Sequence, residues 1–190
     1  MKGVPEISIC LYATFLFGFW IQTAHQQDEP NPRLQSARTV PATCPITQPP
    51  FKEFVPPEPY PTKISSNDFW LGSDKLWTSR SKNGLWHGYW TTDAASGVKR
   101  KVYFDKVFWW RTGYDWRAEN PPQLRVSGRR LDAPAAPFYV DHADPAFVKN
   151  PAMLTGIDIP TVGCWEITGD YKGDRLSFVV WVVDPPGNIH

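Results

Sequence analysis

Hydrophobic and polar residues alternate in the C-terminal part of the chain with the period of two that is typical of β-strands. Residues 160–183 divide into two such runs, and a Gly- and Asp-containing turn at residues 170–174 separates them. The pattern predicts a closing β-hairpin with one apolar face. Five side chains of this face are expected in the core: Trp165, Ile167, Leu176, Phe178 and Val180.

Shorter apolar runs precede this hairpin, and Asn83-Gly84 is the strongest turn signal between them. The runs that we interpret as strands cover residues 69–71, 75–79, 85–92, 98–111, 123–131 and 138–140. Residues 141–155 are expected to form a long insertion with room for one helical turn. No run has the period of an amphipathic helix. The pattern therefore predicts an all-β fold, a single immunoglobulin-like antiparallel β-sandwich over residues 43–185 with a tail at 186–190.

The N-terminal residues have the features of a targeting segment. Residues 7–21 are almost wholly apolar, but this run is shorter than the about 20 residues that a membrane-spanning helix needs. We predict a signal peptide at residues 1–24, with an uncleaved anchor as the alternative, and a flexible tether at 25–42. The protein is then secreted, periplasmic or part of the cell envelope, and it is attached to a membrane only if the leader stays uncleaved.

Residues 43–62 alternate prolines with apolar side chains. Proline lacks the N–H that a central strand must donate, so we expect this segment to lie over the core as an extended edge.

The cysteines are consistent with export. Removal of the leader would delete Cys10 and leave Cys44 and Cys164. Two cysteines in an exported domain usually pair, and we predict that these two form a disulfide. A bridge of this loop length adds about 4 kcal/mol of stability before strain is subtracted. The alternative is two unpaired thiols, one of them buried as a small apolar residue.

Composition narrows the classes of partner. The formal net charge is +1, so the chain lacks the concentrated positive charge of nucleic-acid-binding proteins, and we expect no nucleic-acid partner. Tryptophan is unusually frequent, with ten residues. Some of these rings, together with a neighbouring arginine, could form a stacking platform for a sugar or a peptide. The candidate ligand-binding residues are Trp86, Trp90, Trp109, Trp110, Trp116 and Arg111. The alternative is that most of these rings fill the core.

Catalytic and metal-binding patterns are weak. Asp141, His142 and Asp144 could bind a divalent metal with His87, but zinc sites usually place two or more His or Cys at close spacing. No G-x-S-x-G motif is present. Carboxylates such as Glu119 and Glu166 are numerous enough for glycoside hydrolysis, but the sequence does not place two of them at the defined separation that this reaction needs. We predict no catalytic residues, no metal and no cofactor.

Ion pairs explain several of the same charged residues more simply. We expect Glu166 to pair with an arginine of a neighbouring strand, which is Arg125, Arg129 or Arg175. Asp132 is expected to pair with the Arg129-Arg130 sequence that precedes it.

Three sequence pieces occur together in this chain: D-K-L-W at residues 74–77, F-W-W-R at 108–111 with P-Q-L-R-V-S-G-R-R-L-D at 122–132, and I-P-T-V-G-C-W-E-I-T at 159–168. In these pieces the chain resembles a group of uncharacterised bacterial secreted proteins with an immunoglobulin-like build. The resemblance implies the fold and an exported location. It implies no activity and carries no functional residue over to this chain.

Taken together, these patterns predict an exported, non-catalytic binding or interaction module. Its partner would be a protein or glycan of the envelope or the extracellular space. One alternative is a purely structural accessory domain, and a second is a metal-dependent or glycoside-acting enzyme.

Overall fold

A computed structural model describes residues 39–147 and 149–186. The predicted signal peptide, most of the predicted tether and residues 187–190 lie outside this range. The described residues contain twelve β-strands and no helix, so the predicted all-β class is confirmed. Accordingly, no helix in the described part of the chain has the length and apolar character needed to cross a membrane.

The strands are short at the start of the chain and longest at its end. Their bounds are β1 Asp68–Ser73, β2 Leu76–Ser81, β3 Leu85–His87, β4 Tyr89–Thr92, β5 Lys99–Val102, β6 Phe104–Trp110, β7 Leu124–Arg130, β8 Phe138–Val140, β9 Asp144–Ala146, β10 Ala152–Asp158, β11 Gly163–Tyr171 and β12 Asp174–Val183.

Ten of the strands form two five-stranded sheets. Sheet A has the order β1-β2-β6-β10-β9, and sheet B has the order β3-β12-β11-β7-β8. Strands β4 and β5 form a separate two-stranded sheet. All pairs are antiparallel except β3 with β12. The predicted closing hairpin is β11–β12, in which Trp165 lies opposite Val180 and Ile167 lies opposite Phe178.

The main core lies between the inner faces of the two sheets, as in a β-sandwich. Trp109 of sheet A packs against Phe178 of sheet B, with 5.9 Å between ring centroids. The Trp109 Nε1–H donates to Thr155 Oγ1 at 3.0 Å, which satisfies a buried donor. Four of the five predicted core residues are buried, and Leu176 is half-buried against the same cluster.

The outer face of sheet A is also covered. The predicted Pro-rich segment, residues 43–62, continues to residue 64 and is called the Pro-rich segment over this whole range; it packs Tyr60 edge-on against Trp77 at 5.0 Å between ring centroids. The Tyr60 hydroxyl donates to the Arg111 carbonyl oxygen at 2.8 Å, and Trp70 Nε1–H donates to the Thr62 carbonyl oxygen at 3.0 Å. A second hydrophobic cluster results, which buries Trp70, Trp77 and Trp110. Sheet A therefore has two apolar faces, and the expectation that this segment lies over the core is confirmed.

The same segment begins on the other sheet. Cys44 is bonded to Cys164 of β11, with 5.6 Å between their Cα atoms, which confirms the predicted pairing. Three residues later, the Thr47 N–H donates to the Val179 carbonyl oxygen at 3.0 Å, and the Val179 N–H donates to Thr47 Oγ1 at 2.8 Å. The segment thus runs from sheet B around the edge of the sandwich to the outer face of sheet A.

Two predicted boundaries are wrong. The single strand expected at residues 85–92 divides at Gly88, where a Cβ atom would lie 2.7 Å from the Tyr103 ring. Its first half joins sheet B, while its second half pairs with β5 alone. Residues 141–155 contain strand β9 and the start of β10 instead of a helical turn, because Ala152 pairs with Ala146 and Met153 with Trp109.

Candidate functional site

The predicted tryptophan platform does not form a surface. Trp86, Trp109 and Trp110 are all buried, so none can present a ring face to a ligand. Trp86 of sheet B and Trp109 of sheet A both lie in the main core between the sheets. Trp110, the neighbour of Trp109, lies on the other face of sheet A, where it packs under the Pro-rich segment against Trp70. These three residues are corrected from candidate ligand contacts to core residues.

The other platform residues lie apart from one another in the fold. Trp116 is half-buried against the main core, and Arg117 lies over its ring at 4.5 Å from the centroid. The guanidinium of Arg111 lies 5.0 Å from the centroid of the Tyr171 ring. Trp90 is exposed, but it belongs to the separate β4–β5 sheet. The six candidates therefore do not make one site.

The acidic and histidine residues form local pairs. His142 Nε2 lies 3.0 Å from Asp144 Oδ1, and both side chains are exposed. Within residues 39–147 and 149–186, no group of three or more His, Cys, Asp or Glu side chains is arranged to hold a metal ion.

Both expected ion pairs form. Arg129 Nε lies 2.6 Å from Glu166 Oε2 across the β7–β11 pair, and Arg130 Nε lies 2.7 Å from Asp132 Oδ1. Glu166 is thereby held in an ion pair at the surface of sheet B.

A different surface has the shape of a binding site. The outer face of sheet B carries an open groove of about 900 Å³ across strands β7, β8, β11 and β12. This volume is within the range of small-ligand sites. Tyr139, on the edge strand β8, lines the groove and is 76% exposed. The side chains that line the groove and can contact a ligand are Gln123, Arg125, Ser127, Tyr139, Asp141, Thr168, Asp170, Lys172 and Arg175.

Strand register explains why these side chains meet. One cross-strand row places Tyr139 opposite Ser127, and Ser127 opposite Thr168. The next row places Arg125 opposite Asp170, and Asp170 opposite Arg175. Because alternate residues of a strand share a face, the two rows lie side by side on the outer surface. The groove floor thus combines an aromatic ring, two hydroxyl groups and charges of both signs.

Some of these charges are already engaged. Arg175 Nε lies 3.6 Å from Asp170 Oδ2, and the other oxygen of Asp170 accepts the Gly173 N–H at 3.0 Å. Arg125 has no ion pair within 4.0 Å among the described residues. Its guanidinium therefore has donors available to a polar ligand.

A cluster of hydrogen bonds to Glu119 lies at one end of the groove. Glu119 accepts the Tyr171 hydroxyl at 2.7 Å and the Gln123 N–H at 2.6 Å, and Lys172 contacts the same carboxylate. Burial alone would raise the pKa of the Glu119 carboxyl, but hydrogen bonds from Lys172 and Tyr171 hold that pKa below its ordinary value. Nearby, burial raises the pKa of Tyr114 to about 12, and the Glu119 carboxylate adds to the shift. This hydrogen-bond cluster fixes the loop after β6 beside the groove.

Arg80 is a cation at a core-facing position of β2. Its guanidinium lies 4.3 Å from the Phe178 ring centroid and 5.6 Å from that of Trp86. Desolvation by burial lowers its pKa to about 10, against the opposing effect of Asp105. The adjoining crevice beside Thr47 has no space for a water-sized sphere. Arg80 is therefore a packing residue and does not form a ligand site.

Sequence reasoning did not identify the groove. In β7, Leu124 and Val126 are buried, whereas Arg125 is exposed and Ser127 is half-buried on the opposite face. Tyr139 lies on a strand of only three residues, which is too short for alternation to indicate its face. The sequence signal that could have identified the groove is a tyrosine in a short strand that follows a strand with alternating polar residues, as Tyr139 follows Arg125 and Ser127.

Comparison with protein-family models, curated proteins and solved structures finds no match for this chain. The functional inference for this protein rests on its own residues.

Proposed function

We propose that this protein is an exported, non-catalytic module that binds a carbohydrate in the groove on sheet B. The observation that carries the proposal is the asymmetry of the two outer faces. Sheet A is covered by the Pro-rich segment, whereas sheet B leaves its central strands open beneath a groove that holds an exposed tyrosine.

The groove chemistry suits a sugar ring. A pyranose has an apolar C–H face, which can stack on the ring of Tyr139, and a rim of hydroxyl groups that both donate and accept hydrogen bonds. Arg125 can donate to such hydroxyls, Asp141 can accept from them, and Ser127 can do both. The mixture of charges favours a neutral glycan, because the hydroxyl groups of one sugar ring can accept hydrogen bonds from the cation and donate them to the carboxylate.

Binding rather than hydrolysis is supported by the state of the groove carboxylates. An acid–base pair would need two carboxyl groups free to exchange protons across a scissile bond. One oxygen of Asp170 accepts the Gly173 N–H, and the other lies in an ion pair with Arg175. Asp141 then remains as a single acidic group.

Export is part of the proposal and is supported by the apolar run at residues 7–21 and by the Cys44–Cys164 disulfide, because disulfides persist in oxidising compartments. N-terminal sequencing of the protein recovered outside the cytoplasm would test it. A protein found only in the cytoplasm with a reduced Cys44 would contradict export.

The binding test is a screen of the oxidised full chain against neutral envelope oligosaccharides, followed by calorimetric titration of each hit. Tyr139→Ala is expected to weaken binding about tenfold, which is the loss expected for one stacked ring. Tyr89→Ala is the matched control because Tyr89 is exposed but belongs to β4, outside the groove. Equal loss in both variants, or no loss in Tyr139→Ala, would refute the groove as the site.

A further inference from the structure

The two-stranded sheet β4–β5 is separate from the two five-stranded sheets. We use "the arm" for residues 89–102, which comprise β4, the turn after it, and β5. These strands pair with each other and with no other strand of the described chain. The arm contributes neither to the groove nor to the hydrophobic cluster under the Pro-rich segment.

The tip of the arm exposes three apolar side chains and is closed by hydrogen bonds from and to Asp93. Asp93 N–H donates to the Val98 carbonyl oxygen at 2.9 Å, and the Asp93 carboxylate accepts from the Ser96 N–H and hydroxyl, each at 2.8 Å. These bonds leave Ala94, Ala95 and Val98 exposed at the tip, with Val98 60% exposed. Side chains that the turn's hydrogen bonds already hold outward lose less conformational entropy when a partner buries them.

Positive charge follows directly behind the tip. Lys99, Arg100 and Lys101 are consecutive and exposed. Against these three cations the arm carries one carboxylate, Asp93, so its formal charge is +2 (three minus one). Lys101 pairs with Asp184 at 3.0 Å, whereas Lys99 and Arg100 have no ion pair within 4.0 Å among the described residues.

Aromatic rings form the base of the arm. Trp90 and Tyr89 are both exposed, and Lys101 Nζ lies 5.7 Å from the Trp90 ring centroid. Trp90 Nε1–H donates to the Pro186 carbonyl oxygen at 3.2 Å, which fixes the ring. Tryptophan and tyrosine are the residues that prefer the boundary between water and lipid.

We propose that the arm docks on the surface of an anionic phospholipid bilayer. The order of side chains along the arm matches the order of layers in such a surface. The apolar tip reaches the acyl boundary. Lys99 and Arg100 lie within two residues of Val98, which is about 7 Å at strand spacing and places them at the level of the phosphates. A soluble anion would use the cations but would gain nothing from the exposed tip. This inference is independent of the proposed glycan site, since the arm and the groove share no residue.

The test is hydrogen exchange of the full chain, read in the peptides that cover residues 89–102. Vesicles of phosphatidylcholine with phosphatidylglycerol are expected to slow exchange in the arm, whereas pure phosphatidylcholine vesicles do not. The local readout separates the arm from any vesicle contact made by residues 7–21. Each Lys or Arg near an anionic surface contributes about fivefold to partitioning, so loss of two cations alone should raise the lipid needed for arm protection about thirtyfold. Lys99→Glu with Arg100→Glu should raise it by at least this factor, because the surface also repels the two added carboxylates.

The matched control is Lys52→Glu with Lys63→Glu, which changes net charge equally at exposed positions of the Pro-rich segment. This control is expected to keep the protection. Val98→Asp is expected to abolish it without changing the cations. Equal protection by both vesicle types, loss of protection in the control pair, or equal protection by free glycerol phosphate would each overturn the proposal.

Discussion

Gly169 provides a sharp test of how tightly the two sheets are packed. A Cβ atom at this position of β11 would lie 2.5 and 2.7 Å from two ring carbons of Trp109. Ordinary carbon contacts are about 3.5–4.0 Å, so in Gly169→Ala the indole must move by about 1 Å. Trp109 has no free space for this movement because it is fully buried between the sheets.

The size of the effect follows from the contacts that hold Trp109. Overpacking of a core costs about 1–3 kcal/mol, and a shift that breaks the bond from Nε1–H to Thr155 Oγ1 leaves a buried donor unsatisfied, at about 1–3 kcal/mol more. Replacing a strand glycine by alanine ordinarily gains about 0.5–1 kcal/mol. We therefore expect Gly169→Ala to lower the free energy of unfolding by about 3 kcal/mol, which corresponds to a decrease in Tm of about 6–12 °C.

The assay is urea unfolding followed by tryptophan fluorescence, with the disulfide intact. Gly156→Ala is the matched control, because its Cβ would meet only the half-buried ring of Phe104. This control is expected to change stability by less than about 1 kcal/mol. If Gly169→Ala is as stable as the parent chain, the sheets are not packed as tightly as described and the reasoning fails.

Three further outcomes are expected. The folded-state pKa of Glu119 is below its ordinary value, so its contribution is present at neutral pH and is lost as pH falls through that depressed pKa; urea titrations at pH 3–7 should show a smaller loss on acidification in Glu119→Gln. Tyr114, with its pKa raised to about 12, should ionise well above the ordinary value of about 10 in an absorbance titration, and stability should fall between pH 10 and 12; an equal titration in Tyr114→Phe would contradict this. Cys44→Ala with Cys164→Ala should cost about 4 kcal/mol in unfolding experiments, and a cost below about 1 kcal/mol would show that the bridge constrains little.

The closing hairpin could be predicted because its information is local. Alternation around Trp165 and Phe178 and the Gly-containing turn between them specify two adjacent strands, and β11 and β12 follow. The disulfide was predictable from the number of cysteines that remain after the apolar leader. Both inferences need no knowledge of distant pairing.

The tryptophan platform failed because alternation tells which residues share a face but not whether that face is covered. Trp109 and Trp110 point in opposite directions, and both are buried because residues 43–64 cover the second face. The groove was missed for a related reason. Ser127 meets Thr168 only through the pairing of β7 with β11, which are about 40 residues apart in the chain. The division at Gly88 depends likewise on Tyr103, whose ring excludes a larger side chain.

The attachment of the Pro-rich segment has a mechanical consequence. Cys164 lies in β11, the middle strand of sheet B, and its partner Cys44 lies at the start of the Pro-rich segment, before the residues that cover sheet A. A pulling force on the chain before Cys44 passes through the disulfide into this middle strand, which is hydrogen-bonded on both sides to β7 and β12. The segment from Cys44 to Tyr60 bears none of the load, so its aromatic contacts cannot be peeled away one by one. With the disulfide reduced, the same force would strip the cover from Trp77 before it reached either sheet.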